Sequence, residues 1–365
     1  MYNSLNKGGI QNVVINIIRH LHYEYQFDIF VLSKETGYYD SEIISYGGRI
    51  FREEFCIGKS KFCRSLCFYI RGRFLYKRIK QVIITYGPYK VIHCNIADEA
   101  GIAVLAARKC NVPIRIVHSH VAFKNNYNPI AKVYISFLKK LILKHATDNI
   151  ACSCDAGKKL FGDNKFQVIY NTIEDRFLGK GIDRITLHNN LILLQIGTIC
   201  DNKNQMFSLK ILKLLKTKHE DARLIYVGRS KDYATEKYFR TLKMECNSLS
   251  LIDSVLFLPA DSDVVNALEN CTYVLFPSKS EGLGIVPIEA QARGVKCFIS
   301  ASVPRDVDCG GCIFLALDSG EYAWAQRIED EYRIDKGAKN YYDISRFAPD
   351  KIMEQYRKLY GGNKQ

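Results

Sequence analysis

The sequence predicts an α/β fold made of two doubly wound domains that face a central cleft. Three observations support this fold class. Short apolar runs alternate with segments of helical character along the whole chain. Most runs in the second half are apolar on both faces, which is typical of parallel strands covered by helices. The length of 365 residues fits two domains of ordinary size.

The first domain is predicted to span residues 1–175. Strands are predicted over 27–33, 89–95, 114–120, 149–154 and 166–171, and helices over 10–22, 99–110 and 129–146. The glycine turn Gly8-Gly9 opens the first helix, whereas a doubly wound domain places a buried strand before such a turn. Met1 and Tyr2 are the candidates for its remnant, so we expect the first strand to be truncated here, or the chain to be a fragment.

The second domain is predicted to span residues 176–345, after a polar linker over about 172–190. Strands are predicted over 191–197, 222–228, 254–259, 273–278, 296–300 and 312–316, and helices over 204–217, 234–247, 262–270 and 287–293. A last helix, within 346–365, is expected to pack back toward the first domain. The carboxyl ends of both parallel sheets are expected to face the cleft and to hold the ligands.

Composition limits the class of protein. Apolar residues make up 47% and charged residues 25%, which indicates a folded globular chain. No apolar run is long enough for a transmembrane helix and no signal-peptide pattern is present, so we predict a cytoplasmic location. Most of the thirteen cysteines are scattered singly and are interpreted as small buried hydrophobes. Cys309 and Cys312 have metal or redox spacing, but no second pair lies nearby, so they are interpreted as part of a plain loop.

The net charge of +14 is concentrated in two stretches, residues 59–80 and 124–144, which contain no acidic residue. Both stretches interleave bases with apolar and aromatic residues. This pattern favours a helix on an anionic membrane surface. A solvated basic face remains the main alternative, and nucleic-acid binding is the weakest of the three.

The stretch "SEGLGIVPIEAQARG" (280–294) carries the main chemical signal. Glu281 follows a predicted strand, glycines follow Glu281, and Glu289 is expected in the first turn of a helix that Pro287 helps to start. A helix N-terminus binds anions, whereas carboxylates accept from hydroxyls, so the pair suggests a nucleotide sugar. The alternative from spacing is a capping acid at Glu289 and a surface acid at Glu281. Lys203, at another strand–helix junction, could hold a diphosphate or be a plain surface lysine.

These residues resemble glycosyltransferase family 4, whose fold, GT-B, has two Rossmann-like domains facing a central cleft. Residues 277–300 are similar to its signature with two glutamates, and Gly197, Lys203 and Asn204 match its Gly-Arg-x4-Lys-Asn element. Residues 255–278, Gly8-Gly9 and segments 115–120, 151–162 and 168–174 resemble further family landmarks in the same order. The closest resemblance is to the branch that makes capsular polysaccharides and exopolysaccharides.

The resemblance implies a retaining, metal-independent hexosyltransferase without a cofactor. Its donor would be a UDP-sugar or GDP-sugar, and its acceptor a hydroxyl of a glycan, which we expect to be lipid-linked. We expect peripheral attachment to the inner face of the cell membrane and no nucleic-acid partner. The alternatives are a catalytically weak scaffold in a polysaccharide-assembly complex and a nucleotide-sugar epimerase.

The resemblance also implies roles for individual residues. Glu281, Lys203 and His118 would be catalytic: Glu281 holds the donor sugar, Lys203 the diphosphate, and His118 lies near the transferred sugar. Glu289 would accept from the ribose hydroxyls. The other substrate-binding residues would be Gly8, Gly9, Gly197, Asn204, Gly228, Gly282, Leu283, Gly284 and Ile285. The family arginine after the first glycine is Thr198 here, and Arg229 is a candidate to compensate for its loss.

Other candidate sites have weaker support. Asp261 and Asp263 resemble a metal-binding Asp-x-Asp pair, but they precede a helix, where Asp is a common cap. We expect His118 and His120 to face opposite sides of their strand, which argues against a shared metal. His93 is interpreted as a cleft-wall or core residue. Phosphate-loop and Gly-x-Gly-x-x-Gly motifs are absent from the sequence, which argues against those nucleotide-binding classes.

Overall fold

The computed structural model describes most of the chain as two compact units. It describes residues 5–6, 8–54, 63–96, 99–120, 129–178, 190–230 and 232–361, without the side chains of 63–69. Unit 1 comprises Met1–Thr172 with Pro349–Gln365, and unit 2 comprises Ile173–Ala348. The expected remnant of a first strand, Met1 and Tyr2, lies outside the described residues, as does most of the predicted linker.

Strands and helices alternate through both units, and every sheet is parallel, so the predicted α/β fold is confirmed. The strands are β1 (Ile29–Val31), β2 (Ile50–Arg52), β3 (Val91–Cys94), β4 (Ile114–Ser119), β5 (Asp148–Ala151), β6 (Gln167–Val168), β7 (Ile192–Ile196), β8 (Arg223–Val227), β9 (Val255–Leu258), β10 (Tyr273–Phe276), β11 (Cys297–Ser300) and β12 (Cys312–Leu315). The helices are α1 (Gly9–Leu21), α2 (Asp40–Ser45), α3 (Cys63–Tyr86), α4 (Ala100–Lys109), α5 (Pro129–His145), α6 (Cys154–Phe161), α7 (Gln205–Leu215), α8 (Tyr233–Ser248), α9 (Val264–Glu269), α10 (Ile285–Ala292), α11 (Gly320–Asp335) and α12 (Pro349–Gly361).

Unit 2 contains one six-stranded sheet in the order β12-β11-β10-β7-β8-β9. Strands β10 and β11 are buried at every position, as expected for central strands covered on both faces. On one face Trp324 of α11 packs edge-on against Phe207 of α7, with the ring centroids 5.2 Å apart. This packing is part of the apolar core that covers the sheet.

The parallel sheet of unit 1 is in two pieces, β1-β2 and β3-β4-β5-β6. Helix α1 spans both pieces: Ile15 and Ile18 pack with β1, whereas Val13 and Ile17 pack with the four-stranded piece. A groove of about 540 Å³ lies beside α1, lined by residues of β1, β3 and the segments that lead into them. The two pieces are therefore held together through α1 in the described part of the chain.

Helix α12 packs within unit 1, although it follows unit 2 in the sequence. Ile352, Met353, Tyr356 and Tyr360 share one apolar cluster with α1 and the four-stranded sheet. The strong amphipathic pattern of residues 350–360 explains why this helix was predictable. Within the described ranges, no helix combines the length and apolarity needed to cross a membrane.

Candidate functional site

The candidate site of unit 2 lies at the carboxyl ends of three neighbouring strands. Strand β7 is flanked by β8 and β10 in the sheet. Gly197 directly follows β7, Gly228 directly follows β8, and Glu281 follows β10 after a short loop. Because parallel strands end at the same edge, the structure brings these residues together where a doubly wound sheet binds ligands.

Lys203 and Glu281 form an ion pair at this edge. Lys203 Nζ lies 2.6 Å from Glu281 Oε1, and both side chains are largely buried. The same ammonium group lies 4.7 Å from the centroid of the Phe276 ring, in cation–π distance. Gln195 holds the backbone of the lysine in place, since its Nε2 donates to the Lys203 carbonyl at 2.7 Å. The lysine is thus held at a defined position with its charge balanced by the glutamate.

Two glycines let the strand ends approach closely. Gly197 has φ +143°, in the region that favours glycine, and the Lys203 stem passes over its Cα side. A Cβ atom on Gly228 would lie 1.9 Å from the Gly197 carbonyl oxygen, which no side chain can tolerate. The backbones after β7 and β8 are therefore in direct contact, which requires glycine at 228.

Replacing Gly228 with alanine is expected to force these two strand ends apart. The contact is with a backbone atom, so relief needs a shift of β7 or β8. We expect a loss of roughly 1–3 kcal/mol in the free energy of unfolding, as for overpacked cores. Urea unfolding of Gly228→Ala measures this, with Gly361→Ala as the control because no atom lies within 4 Å of that added Cβ. Equal stability of both variants would contradict the proposed contact.

The loops after β7 and β10 are tied together by hydrogen bonds. Lys279 N donates to the Asn202 carbonyl at 2.8 Å, and Asn202 Nδ2 donates to the Ser280 carbonyl at 2.9 Å. Lys279 Nζ also pairs with Asp201 Oδ1 at 2.7 Å. The two hydrogen bonds to backbone carbonyls fix the relative position of Lys203 and Glu281, which are carried by the two loops, whereas the exposed Lys279–Asp201 pair adds little.

Helix α10 begins at Ile285, two residues earlier than predicted. Gly284 precedes it with φ +95°, a conformation that suits glycine. Pro287 is the third residue of the helix, where the missing N–H has no intrahelical partner in any case. The expectation that Glu289 lies in the first turn was therefore wrong: it is the fifth residue, in the second turn. The N–H groups at the start of α10 are those of Gly284, Ile285 and Val286.

Glu289 is a buried carboxyl group without a compensating partner. Its side chain receives no hydrogen bond from any residue that the structure describes, and 7% of the residue is exposed. Burial, together with the nearby charge of Glu174, raises the pKa of Glu289 from its ordinary 4.5 to about 8, whereas the charge of Arg176 acts in the opposite sense. A buried carboxyl group that accepts no hydrogen bond lowers the stability of the fold. Such groups are typical of ligand-binding sites, where a ligand can supply the missing donors.

The remaining predicted residues of unit 2 support the backbone of the site. Asn204 adopts the left-handed conformation, φ 56°, between the turn Asp201–Lys203 and α7, and it provides no side-chain cap. Gly282 and Leu283 are buried in the loop that leads to α10. These residues therefore set the shape of the loops around the site, and we assign no chemistry to their side chains.

Thr198, which stands in place of the family arginine, lies beside Arg229 at the sheet edge. Ile199 N donates to the Arg229 carbonyl at 3.1 Å, and the backbone contact between Gly197 and Gly228 lies next to it. Arg229 is exposed and has no ion pair among the described residues. Its guanidinium group is therefore available at the edge that lacks an arginine at 198.

His118 belongs to a chain of ring contacts in unit 1. Its Nδ1 lies 3.2 Å from His93 Nε2, and His93 Nδ1 lies 2.9 Å from the Tyr360 hydroxyl. Burial, with His120 and His93 as further causes, holds the pKa of His118 well below its ordinary value. His118 is thus a neutral, buried residue whose Nε2 has no described partner.

The expectation that His118 and His120 face opposite sides was wrong. Their ring centroids are 3.7 Å apart. Side chains alternate along a strand, so residues two apart share a face, and His120 lies just beyond the end of β4. Spacing therefore gave no argument against a shared site for these two rings.

His120 is a polar group at the carboxyl edge that the sequence analysis did not single out for a role. Its Nε2 lies 2.7 Å from Asn95 Oδ1, which assigns the proton to Nε2 and leaves Nδ1 as a buried acceptor without a described partner. Burial lowers the pKa of His120 to about 3, so the ring is neutral at physiological pH. Asn95 follows β3 and His120 follows β4, and that shared position at strand ends was the available signal.

Gly8 and Gly9 lie at the N-terminus of α1. Gly8 is the N-cap in extended conformation, and Gly9 is exposed with no atom within 4 Å of an added Cβ. The described surroundings therefore do not themselves require glycine at 9. Both residues belong to unit 1.

Neither alternative metal motif has the arrangement of a metal site. Asp263 accepts a hydrogen bond from Asn266 N at 3.1 Å, so it caps α9 as predicted. In the part of the chain that the structure describes, no group of three or more His, Cys, Asp or Glu residues is arranged to hold a metal ion. Cys309 lies in a loop whose N–H groups at 309 and 311 donate to Gln291 Oε1.

Two family models match the chain in consecutive segments. The model for "Glycosyltransferase Family 4" matches residues 7–177, and the model for "Glycosyl transferases group 1" matches residues 183–305. Together they cover most of both units, including the loop pair with Lys203 and Glu281.

Named relatives match over most of their length. The chain is 29% identical to the glycosyltransferase EpsF of Bacillus subtilis, over 89% of this chain and 84% of the relative. It is 25% identical to the capsular polysaccharide biosynthesis glycosyltransferase CapH of Staphylococcus aureus, over 83% and 80%. It is 24% identical to an Escherichia coli α-1,3-galactosyltransferase named for UDP-Gal and a diphosphoundecaprenol-linked GlcNAc, over 80% and 76%.

A solved structure with the same fold is HepE of Anabaena, determined in complex with UDP-glucose. It superimposes with a TM-score of 0.74 at 17% identity, over 97% of this chain and 96% of that chain. At this identity the likeness shows the fold, which is GT-B.

Proposed function

The chain belongs to glycosyltransferase family 4, in the branch that makes capsular polysaccharides and exopolysaccharides, and from this we propose a retaining, metal-independent hexosyltransferase. The donor we propose is a UDP-sugar or GDP-sugar, used without a cofactor. The acceptor is a hydroxyl of a lipid-linked glycan. One observation carries the proposal: Lys203 and Glu281 are paired at the carboxyl edge of the unit 2 sheet.

The pair has the chemistry that a nucleotide sugar needs. When the glycosidic bond breaks, negative charge grows on the leaving diphosphate, and it must be stabilised more strongly than in the ground state. Lys203 Nζ supplies a fixed cation, and the first N–H groups of α10 supply a second positive end. Glu281 accepts from sugar hydroxyls while holding the lysine in place. Glu289, deeper in the same helix, accepts from the ribose hydroxyls.

We propose attack of the acceptor on the same face that the diphosphate leaves, with a leaving-group oxygen taking the acceptor proton. Glu281 and Glu289 are both committed to donor binding in this scheme. They are therefore not a nucleophile and acid pair of the kind that retaining glycosidases use. In unit 1, His118 and His120 are neutral, so each can hydrogen-bond a sugar without introducing charge.

The lipid-linked acceptor is supported by the relative from E. coli, whose name contains a diphosphoundecaprenol acceptor. A lipid-linked acceptor requires the enzyme to work at a bilayer. The basic stretches of unit 1 would then bring the protein to the anionic inner face of the membrane, where we propose it acts peripherally.

The alternative is a catalytically weak family member that serves as a scaffold in polysaccharide assembly. Thr198 in place of arginine favours it, because one expected diphosphate cation is missing. The exposed guanidinium of Arg229, next to that position, argues for retained donor binding.

Isothermal titration with UDP and GDP, followed by hydrolysis assays over a panel of UDP- and GDP-sugars, tests the proposal. We expect one nucleotide to bind and its sugar donor to be hydrolysed slowly, because water replaces the acceptor. Binding without turnover, even with lipid-linked glycan acceptors, would favour the scaffold. Isomerised donor in the absence of acceptor would instead reveal an epimerase, and no binding of either nucleotide would refute the donor-site assignment.

A further inference from the structure

Helix α5 presents an apolar row to solvent. Ile130, Val133 and Phe137 are 59%, 71% and 49% exposed. Their spacing of three and four residues puts them on one face of the helix. The opposite face is buried through Ala131, Leu138, Ile142 and His145. The helix therefore has two apolar faces, one inside the fold and one outside it.

Lysines complete and flank this outward row. Lys140 and Lys144 continue it at the same spacing, and Lys132 lies beside it. All three are exposed, and none has a carboxylate partner among the described residues. Helix α5 contains no acidic residue. The row thus passes from large apolar side chains at its start to unpaired positive charges at its end.

We propose that this face of α5 inserts shallowly into an anionic lipid bilayer. The inference rests on the proposed function, because a lipid-linked acceptor places the enzyme at a membrane. Ile130, Val133 and Phe137 enter the boundary between headgroups and acyl chains, and Lys132, Lys140 and Lys144 contact lipid phosphates. Docking is therefore driven by apolar burial as well as by charge.

The charges and the apolar row together favour a bilayer over a protein partner or nucleic acid. A second copy of this face would set the lysines against apolar side chains or against lysines, and it would supply no carboxylate to pair with them. Nucleic acid would gain little from three exposed aliphatic and aromatic side chains in a row. The outward row of α3 differs, because Arg73 and Lys77 separate Ile70 from Ile84, so it offers charge without a continuous apolar strip.

Sedimentation of the full chain with phosphatidylcholine vesicles, with and without phosphatidylglycerol, tests the proposal. We expect the double variant Val133→Ser/Phe137→Ser to weaken partitioning into anionic vesicles by about tenfold or more. The reason is that burial of each apolar CH₂ group in the bilayer favours membrane binding, and the variant removes several such groups. The matched control is Tyr322→Ser/Ile334→Ser, two exposed apolar residues of α11, which should bind like the unchanged chain. Exposed positions are chosen so that all variants fold.

Salt separates the two contributions. At about 1 M salt, where the Debye length is ~3 Å, the unchanged chain should retain measurable binding and the double apolar variant should lose it. Lys140→Gln/Lys144→Gln should remove the preference for anionic lipid, whereas Lys218→Gln/Lys237→Gln should not. Unchanged partitioning of the α5 variants, or a change in oligomeric state instead, would overturn the proposal. Titration of the same variants with UDP and GDP without lipid reports separately on the donor site.

Discussion

Lys203→Ala is expected to slow sugar transfer by about 10²–10³-fold, the effect of removing one preorganised group that stabilises developing charge. Lys203 Nζ is the cation at the carboxyl edge of the unit 2 sheet that is fixed by an ion pair, a ring contact and a tethered backbone. Because the role proposed for Lys203 is to stabilise the leaving diphosphate, the loss should fall mainly on kcat. Steady-state kinetics with the donor identified by titration measures it.

The ion pair predicts a further, diagnostic result. In Lys203→Ala the Glu281 carboxylate loses its partner and faces the diphosphate, so nucleotide binding should also weaken. Removing both charges in Lys203→Ala/Glu281→Ala should restore part of that binding while transfer stays slow. Glu281→Ala by itself should mainly slow transfer, since the role proposed for Glu281 is to hold the donor sugar.

Lys279→Ala is the matched control, because Lys279 lies on the same loop pair and is bound to Asp201 rather than to Glu281. An exposed pair of this kind contributes little, so kinetics should change by less than about twofold. Strictly additive effects of Lys203→Ala and Glu281→Ala on nucleotide binding, or a loss in Lys279→Ala equal to that in Lys203→Ala, would contradict the assigned roles.

The strands of unit 2 were predictable because they are buried on both faces and read as continuous apolar runs. All six were found within one or two residues of their predicted ends. Strand β2 (Ile50–Arg52) was missed, because it has three residues that are half-buried and follow no pattern. Helix α11 was missed because its charged residues obscure the buried Trp324, Ile328 and Tyr332, and tertiary packing rather than local pattern decides its state.

The sequence predicted most residues of the candidate site, but it predicted few of the contacts between them. Motif order placed Lys203 and Glu281 at strand ends, but it did not reveal that they pair with each other. The helix start at Ile285 was misplaced because proline is common at the first position and Gly284 was not read as the preceding turn. His120 gave no signal beyond its position, since its pairing with Asn95 depends on how the ends of β3 and β4 are aligned in the sheet.

Glu289 carries a stability cost that can be measured. A carboxyl group whose pKa is raised on folding binds a proton in the folded state that it has lost in the unfolded state. Burying Glu289 therefore costs no stability below about pH 4.5, and the cost grows as the pH rises from there toward about 8, above which it stays constant. Glu289→Gln removes this term, so the variant should be more stable than the unchanged chain above pH 8.

The same residue should make nucleotide binding depend on pH, which is the largest effect we expect on affinity. If the ribose hydroxyls donate to an ionised Glu289, binding must expel the proton held by the free protein below about pH 8. Affinity should then rise with pH by up to about tenfold per unit from pH 6 and level off above the pKa. Calorimetry in buffers of different ionisation enthalpy should show one proton released per nucleotide.

The variant Glu289→Gln should bind nucleotide weakly, and its affinity should not rise with pH. The control is Glu329→Gln, at a buried glutamate of α11 that pairs with His219, and it should keep the rise of affinity with pH. A flat profile in the unchanged chain would remove Glu289 from the ribose site, and with it the reason for keeping an uncompensated acid in a buried helix.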